Sequence, residues 1–526
     1  MARKRRNTKP HEKLAAALAK LKDLQADGRR VFQSDEFARV YRKRLITQGF
    51  LRDVIKGWLI SSSPGTAQGD TTPWYASFWE FCARYCDSRF GNAWHLSPEQ
   101  SLLLHAENTV IPSQVVIYSP KGTNNTIKLL FDTSIYDLKQ KQMLPAEDLT
   151  AKDGLRLFTP AAALSKVPEA FLARHPIEAQ VILASIKDSS EVLGRLLEGG
   201  HTAIAGRLAG AFRRVGRGEI ADEIMKAMKG AGYEPRETDP LSREQTFEAI
   251  ETGIAPIVGR MRGLWESMRE TVIAEFPEAP GLPAKKKEYL HFVDEIYQSD
   301  AYHSLSIEGY RVTPELIERV RGGNWNPDSS QADRENHDAL AARGYWQAFQ
   351  LVKETVALII GGREAGALVR TAHRDWYREL FQPSVAAGLM GAAVLAGYRN
   401  QPVFLRGSRH VPPRADVLRD AMPALFDLLE EENEPSVRAV LGHWMFGYIH
   451  PYPDGNGRVA RFLMNAMLAS GGYPWTVIRV EDRASYLQTL ESASIESDIK
   501  PFAKFIADRV EWSIEQAEQG VTQKPK

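Results

Sequence analysis

Residues 450 to 461 read His-Pro-Tyr-Pro-Asp-Gly-Asn-Gly-Arg-Val-Ala-Arg, a run holding an imidazole, a carboxylate and two guanidiniums. His450, with an unperturbed pKa of about 6.5, is largely neutral near pH 7 and can take a proton as a general base. Asp454 offers hard oxygen ligands suited to a hard cation. Gly455, Asn456 and Gly457 let the backbone approach a ligand closely with its N–H groups turned inward. A glycine-flanked loop that feeds a helix N-terminus is an anion site, and Arg458 and Arg461 add positive charge one turn apart. Any one of these residues alone would read as part of a polar turn, with Asp454 as a helix cap. The set in this order describes a site for nucleotide phosphates.

The flanking sequence supplies the elements that position it. Val437, Val440, Leu441, Trp444, Met445 and Tyr448 fall at helical spacing on one face, which predicts a buried helix reaching Ile449 and presenting His450 at its end. Pro451 and Pro453 forbid its continuation, so residues 451–454 form a loop. Val459, Phe462, Leu463 and Met467 then start a second apolar helix.

The run resembles the signature of the Fic family, His-x-Phe-x-Asp/Glu-Gly-Asn-Gly/Lys-Arg-x-x-Arg, with Tyr452 standing where Phe is usual. The resemblance implies transfer of AMP from ATP to a Ser, Thr or Tyr hydroxyl of a target protein. In it His450 is the general base and Asp454 holds Mg²⁺. Gly455, Asn456, Gly457, Arg458 and Arg461 bind the phosphates, with Asn456 and Arg458 also counted as catalytic. Further back, Ser304-Leu-Ser-Ile-Glu308-Gly309 places Ser304 and Glu308 on one helix face with Gly309 set to end the helix. It is similar to the family's inhibitory motif, and the resemblance implies that Glu308 pairs with Arg461 in competition with the ATP γ-phosphate. Two β-prone runs around Arg406-Gly407-Ser408 predict a hairpin, where the family carries a flap that holds the target by strand addition through Phe404, Leu405 and Arg406. Tyr486 stands where a tyrosine lines the adenine pocket, and Ser494 where Asn is frequent. Removal of AMP by the same site, with Glu308 activating water, is an alternative outcome of this chemistry.

At 526 residues the chain is long for one domain, and its 43% hydrophobic and 25% charged residues are those of a globular protein with ample core. The expected fold is mainly α: an all-helical Fic domain with a β-hairpin flap over 245–520, its inhibitory helix near 300–309. Before it come a winged-helix-like region at 1–62 and an α+β region at 63–235, with the boundary in the Pro-bearing stretch 234–242. The longest Gly- and Ala-rich apolar run, 385–398, falls short of the roughly 20 residues a membrane span needs. The basic cluster Arg3, Lys4, Arg5, Arg6 and Lys9 has no apolar segment behind it, so no signal peptide is expected. Cys82 and Cys86, the only cysteines, are expected to be buried thiols rather than metal ligands, in keeping with a cytoplasmic protein.

Two helices, the second starting after Ser34 and ending at Gly49, precede β-prone runs at 50–55 and 58–61 around Lys56-Gly57. With Arg39, Arg42, Lys43 and Arg44 on the second helix, this pattern suggests either a winged helix that enters a DNA groove or a small helical domain with a solvated basic face. The arrangement resembles the N-terminal domain of AbiEi-type antitoxins. That implies DNA as a partner and a toxin–antitoxin setting, and it motivates a rival function, a DNA-binding regulator whose second half senses nucleotide. A hairpin is expected around 120–125. Helices are expected over 178–230, with Arg207, Arg213, Arg214 and Arg217 as a basic side and Gly206 and Gly210 spaced for close packing. Whether the protein is a homodimer is left open by the sequence.

Overall fold

The computed structural model describes residues 10–65, 69–241, 246–248, 250–323 and 337–518. The basic cluster of residues 3–9 lies outside them. The chain divides into two compact units, Met1–Thr246 with Phe404–Val411, and Phe247–Val403 with Pro412–Lys526.

The first unit begins with α1 (Pro10–Leu24), β1 (Val31–Gln33), α2 (Arg39–Thr47), β2 (Leu51–Ile55) and β3 (Trp58–Ser61). The three strands pair antiparallel in the order β1–β3–β2. Leu21, Phe32, Phe37, Leu45, Leu51 and Leu59 close a small core between the helices and the sheet. Ser34, expected as a helix cap, instead opens a 3₁₀ turn of residues Ser34–Glu36, and α2 starts only at Arg39. The turn forms because Glu36 accepts from the Gln33 backbone N–H and is held by Arg29, a capping-box arrangement that ends the strand.

A second sheet contains β4 (His95–Leu96), β5 (Gln114–Ser119), β6 (Asn125–Lys128) and β7 (Ser134–Lys139) in the order β4–β5–β7–β6. The expected β5–β6 hairpin is therefore not formed. β7 inserts between the two, parallel to β5 and antiparallel to β6. Buried Asp137 on β7 explains this: it accepts from the Thr123 and Asn125 backbone N–H groups and from the Thr123 hydroxyl, drawing the loop around the strand end. Cys82 and Cys86 are buried free thiols on the Phe78–Phe90 helix, and burial pushes the pKa of both up. The helix Thr202–Arg214 carries Arg207, Arg213 and Arg214, while Arg217 stands just before the next helix, and two of these arginines are paired with acids. Arg213 pairs with Asp222 and Glu237, and Arg214 with Asp239. Gly206 and Gly210 do sit at a close approach, against the Arg236 and Thr238 carbonyls of an extended segment rather than against a helix.

The flap hairpin expected at 402–412 is also absent. Leu405–Ser408 is a turn, and Val411 and Ile111 donate backbone N–H groups to the Thr109 and Arg409 carbonyls, leaving one antiparallel bridge between Val110 and His410. The β-prone run at 409–411 finds its partner in residues 109–111 instead of in its own neighbour. Phe404 lies under the Arg30 guanidinium at 4.4 Å, and Arg406 stands 3.5 Å from Asp70, with Leu405 half-buried between them.

The second unit is helical, with no strand among the described residues. Its centre is an antiparallel pair, Pro435–Ile449 and Asn456–Ser470, enclosed by the helices Pro256–Glu275, Lys286–Ile307, His337–Ile359, Ala365–Ala386 and Leu418–Glu431. Both central helices are apolar on almost every side, so they can only sit at the middle of a helical layer. Trp444, Phe446, Phe462, Leu463 and Met467 are fully or almost fully buried, each worth about 1.5–3 kcal/mol of transfer out of water or more.

Candidate functional site

The six-residue connection between the two central helices carries the motif. The first helix ends because His450 adopts left-handed backbone angles (φ 51°, ψ 59°) immediately before Pro451. Arg399 fixes that end. Its Nε donates to the His450 carbonyl at 2.8 Å, its other nitrogens to the Ile449, Gln401 and Pro413 carbonyls, and its backbone N–H to the Pro451 carbonyl. Burial lowers the Arg399 pKa to about 10. Tyr452 anchors the middle of the loop, stacked on Tyr377 with ring centroids 3.7 Å apart and planes 4° apart. Gly455 begins the second helix at φ 80°, where a side chain would also strike Phe381. No side chain caps that helix, which leaves its first-turn N–H groups for an anion.

Asn456, expected as a phosphate donor, also ties the loop together. Its Oδ1 accepts from the Tyr452 N–H and its Nδ2 donates to the Tyr452 carbonyl, both at 2.8 Å, and the side chain is buried. Both ends of the amide thus help close the loop, with one of the two Nδ2 hydrogens used for it.

The charged groups converge. Arg461 is buried and donates from Nη2 to Glu308 Oε1 at 2.7 Å, from Nε to the Ser304 hydroxyl at 2.9 Å, and from Nη2 to the Ser304 carbonyl. Glu308 caps the Lys286–Ile307 helix and Gly309 turns the chain away at φ 92°. Burial alone would raise the Glu308 pKa, but Arg461 and Arg458 outweigh it and hold the carboxyl below its usual range. Burial likewise opposes the Arg461 charge, and Glu308 more than offsets it, raising the pKa. Gly457 faces this pair, and a Cβ there would collide with Glu308 Oε1. Arg458 is buried 3.5 Å from Asp454, its guanidinium lying over the Tyr310 and Phe381 rings.

His450 Nδ1 lies 3.3 Å from the Gly447 carbonyl. A carbonyl only accepts, so the proton sits on Nδ1 and the Nε2 lone pair is free to act as a base. Burial pushes the imidazole pKa down to about 4, so it is neutral near pH 7, although Glu308 and Asp454 pull the other way. Tyr486 is buried with its hydroxyl 2.7 Å from His443 Nε2, and Ser494 accepts from Trp444 Nε1 behind the same helix. Asp454 is exposed, one oxygen accepting from the Gly455 N–H and the other facing Arg458. Among the described residues no three His, Cys, Asp or Glu side chains cluster as a metal cage. A single outward carboxylate fits a cation whose other ligands are phosphate oxygens and water, the usual condition of Mg²⁺.

The site therefore brings together His450, Asp454, Arg458, Arg461, Ser304, Glu308 and Tyr486. Phe404, Leu405 and Arg406 belong to the other unit. Arg399, Tyr377 and His443 were not anticipated. The faint signal for Arg399 is an arginine directly after a tyrosine at the end of an apolar run, with no acidic residue nearby in sequence.

The Fic/DOC family matches residues 367–468. A protein adenylyltransferase Fic from Nematostella vectensis is 43% identical over 122 residues, 22% of this chain and 28% of that one. Its counterpart from Drosophila willistoni is 38% identical over 122 residues, 22% of this chain and 24% of its own. The chain thus spans about a quarter of the length of these relatives. Solved structures with some likeness include a Fic domain containing signaling protein from Bacteroides thetaiotaomicron (20% identity, TM-score 0.35, covering 51% of this chain and 99% of that one). Fic-1 from C. elegans is another (17% identity, TM-score 0.38, covering 66% and 97%). With the His450–Arg461 run inside the matched span, the chain carries a Fic domain at residues 367–468.

Proposed function

We propose that this protein transfers AMP from ATP to a hydroxyl side chain of a target protein, and that Glu308 restrains the transfer. The observation that carries the reading is the buried Arg461–Glu308 ion pair, with Ser304 completing the guanidinium's contacts, on an arginine set to hold the terminal phosphate. A carboxylate in that fork leaves a triphosphate one anchor short. The matched relatives, named protein adenylyltransferases, support the same donor.

In the reaction the target hydroxyl gives its proton to His450 Nε2 as its oxygen bonds to the α-phosphorus. The bond from that phosphorus to the bridging oxygen breaks, and pyrophosphate leaves. The helix N-terminus, Gly455 and Gly457 hold the phosphates through backbone N–H groups, while Arg458 and Arg461 absorb charge on the departing group. Asp454 would hold Mg²⁺, which when bound neutralises charge on the α- and β-phosphates. Tyr486 would border the nucleoside.

Incubating the protein and cell lysate separately with ATP labelled on the α- or the γ-phosphate tests the reading. Adding the protein should raise protein-bound label from the α-position and leave label from the γ-position at the level of lysate alone. A rise in γ-label without a rise in α-label would instead mean phosphoryl transfer and would sink the proposal.

A second reading concerns the first unit: α2 contacts duplex DNA. Arg39, Val40, Lys43 and Thr47 form one exposed face of α2, Val40 being 63% exposed, while Leu45 on the opposite side is fully buried. Arg42 and Arg44 flank that face, and the helix contains no acidic residue. Cations flanking an apolar contact suit a major groove about 12 Å wide, which admits one helix. A gel shift with a duplex of the gene's own upstream region should be salt-sensitive and weakened by Lys43→Ala. No shift even at low salt would count decisively against it.

A further inference from the structure

Behind the motif loop lies a cavity of 180 Å³ bordered by Arg374, Tyr377, Arg378, Gly397, Tyr398 and Tyr452. Tyr452 is fully buried by residue, yet its hydroxyl makes no hydrogen bond among the described residues. A buried, unpaired hydroxyl costs roughly 1–3 kcal/mol, so its presence calls for a partner. The family signature places Phe at this position, so the hydroxyl is a feature of this chain. Arg374 and Arg378, one helical turn apart on the Ala365–Ala386 helix, border the same cavity as Tyr452. Arg374 covers the Tyr398 ring at 5.3 Å, and Arg378 is tied on one side to Asp375 at 2.8 Å. Both guanidiniums reach solvent, which gives the cavity an entrance of positive charge.

We propose that this cavity is a binding site for a small tetrahedral oxyanion, inorganic phosphate or the phosphate of a phosphomonoester, held by Arg374, Arg378 and the Tyr452 hydroxyl. The volume suits it: at about 30 Å³ per water the space takes roughly six waters, or one such anion with a few of them. Guanidinium pairs recognise phosphate oxygens through several donors at once, and a phenol hydroxyl adds one more. The site is separate from the anion site at the start of the Asn456–Ser470 helix, since none of its bordering side chains is Arg458 or Arg461.

Calorimetric titration of the full chain tests this, with inorganic phosphate as probe, phosphoserine as the monoester, and acetate as the planar control. The titrations are done in an excess of a non-hydrolysable ATP analogue, so that the nucleotide site is already filled. Phosphate should bind, acetate at least tenfold more weakly. Tyr452→Phe should weaken phosphate about tenfold, and Arg374→Ala with Arg378→Ala should abolish it. Phosphoserine binding as tightly as phosphate would assign the site to monoesters, and weaker binding to the free anion. Tyr452→Phe removes only an unpaired hydroxyl, so its thermal midpoint without phosphate should equal or exceed that of its parent, which confirms folding. No heat with phosphate, or equal binding in the arginine variants, would overturn the site. So would a Tyr452→Phe affinity matching the parent.

Discussion

His450 is held neutral by its surroundings, and this has a measurable consequence for stability. In the unfolded chain its imidazole titrates near 6.5, whereas burial lowers it to about 4 in the folded protein. Between those values the unfolded state binds the extra proton, so stability falls as the pH drops from about 6.5 towards 4, by at most about 1.4 kcal/mol per pH unit for one such group. His373 and His443, lowered by burial to about 4 and about 3, act in the same direction. Asp300, raised by burial to about 6 from 3.8, acts oppositely, losing its contribution as the pH rises between those values. Urea midpoints measured at about pH 7, 6 and 5 should therefore fall less steeply for His450→Ala than for wild type. Equal slopes would show that the imidazole is not held neutral. At this scale the sequence was informative about chemistry and poor about context. His450, Asp454 and Arg461 announce themselves by type and spacing, because few folds put those groups so close without using them. Arg399 does not, because an arginine before Asn400 reads as a solvated loop residue until the chain folds back onto Ile449 and Pro451.

The loop between the two central helices is specified by backbone geometry more than by side-chain contact with a ligand. Asn456 acts on the Tyr452 peptide as a neighbouring strand would, donating and accepting at once. Asn456→Asp keeps the acceptor but sets a charged oxygen against the Tyr452 carbonyl, so it should cost about 1–3 kcal/mol in unfolding experiments and reduce transfer without abolishing nucleotide binding. A variant with wild-type stability would mean that the loop is held by the Tyr452–Tyr377 stack alone. Helices were the legible elements, since the apolar periodicity around Trp444 and Phe462 admits little else. Strand pairing was not. The β5–β6 and flap hairpins both looked sound locally, yet Asp137 drew β7 between the first pair, and residues 109–111 supplied the partner for 409–411. Non-local partners of this kind leave no periodic trace, because a turn signal states where a chain reverses and not which strand it meets.

Across the whole molecule, the chain combines a helical unit carrying the Fic domain with a first unit of different construction. Among the described residues no helix is long and apolar enough to cross a membrane. The first unit includes residues 404–411, although the whole stretch Phe247–Val403 separates them from the rest of that unit in sequence. This placement was invisible beforehand, since it depends on an isolated bridge at His410 and on Phe404 meeting Arg30. The Glu308–Arg461 contact was expected only because Ser304, Glu308 and Gly309 resemble the family's inhibitory motif, since a Glu near a helix end is ordinarily solvated; the folded chain brings Glu308 within 2.7 Å of Arg461. Restraint of the transfer by Glu308 can be read out in one comparison. Wild type, Glu308→Gly and His450→Ala would be incubated with α-labelled ATP, Mg²⁺ and lysate, and the label on protein counted. Glu308→Gly should give about tenfold or more the label of wild type, from release of a charged hydrogen bond worth about 1.5–3 kcal/mol, and His450→Ala none. Equal labelling by wild type and Glu308→Gly, or transfer that survives His450→Ala, would contradict it.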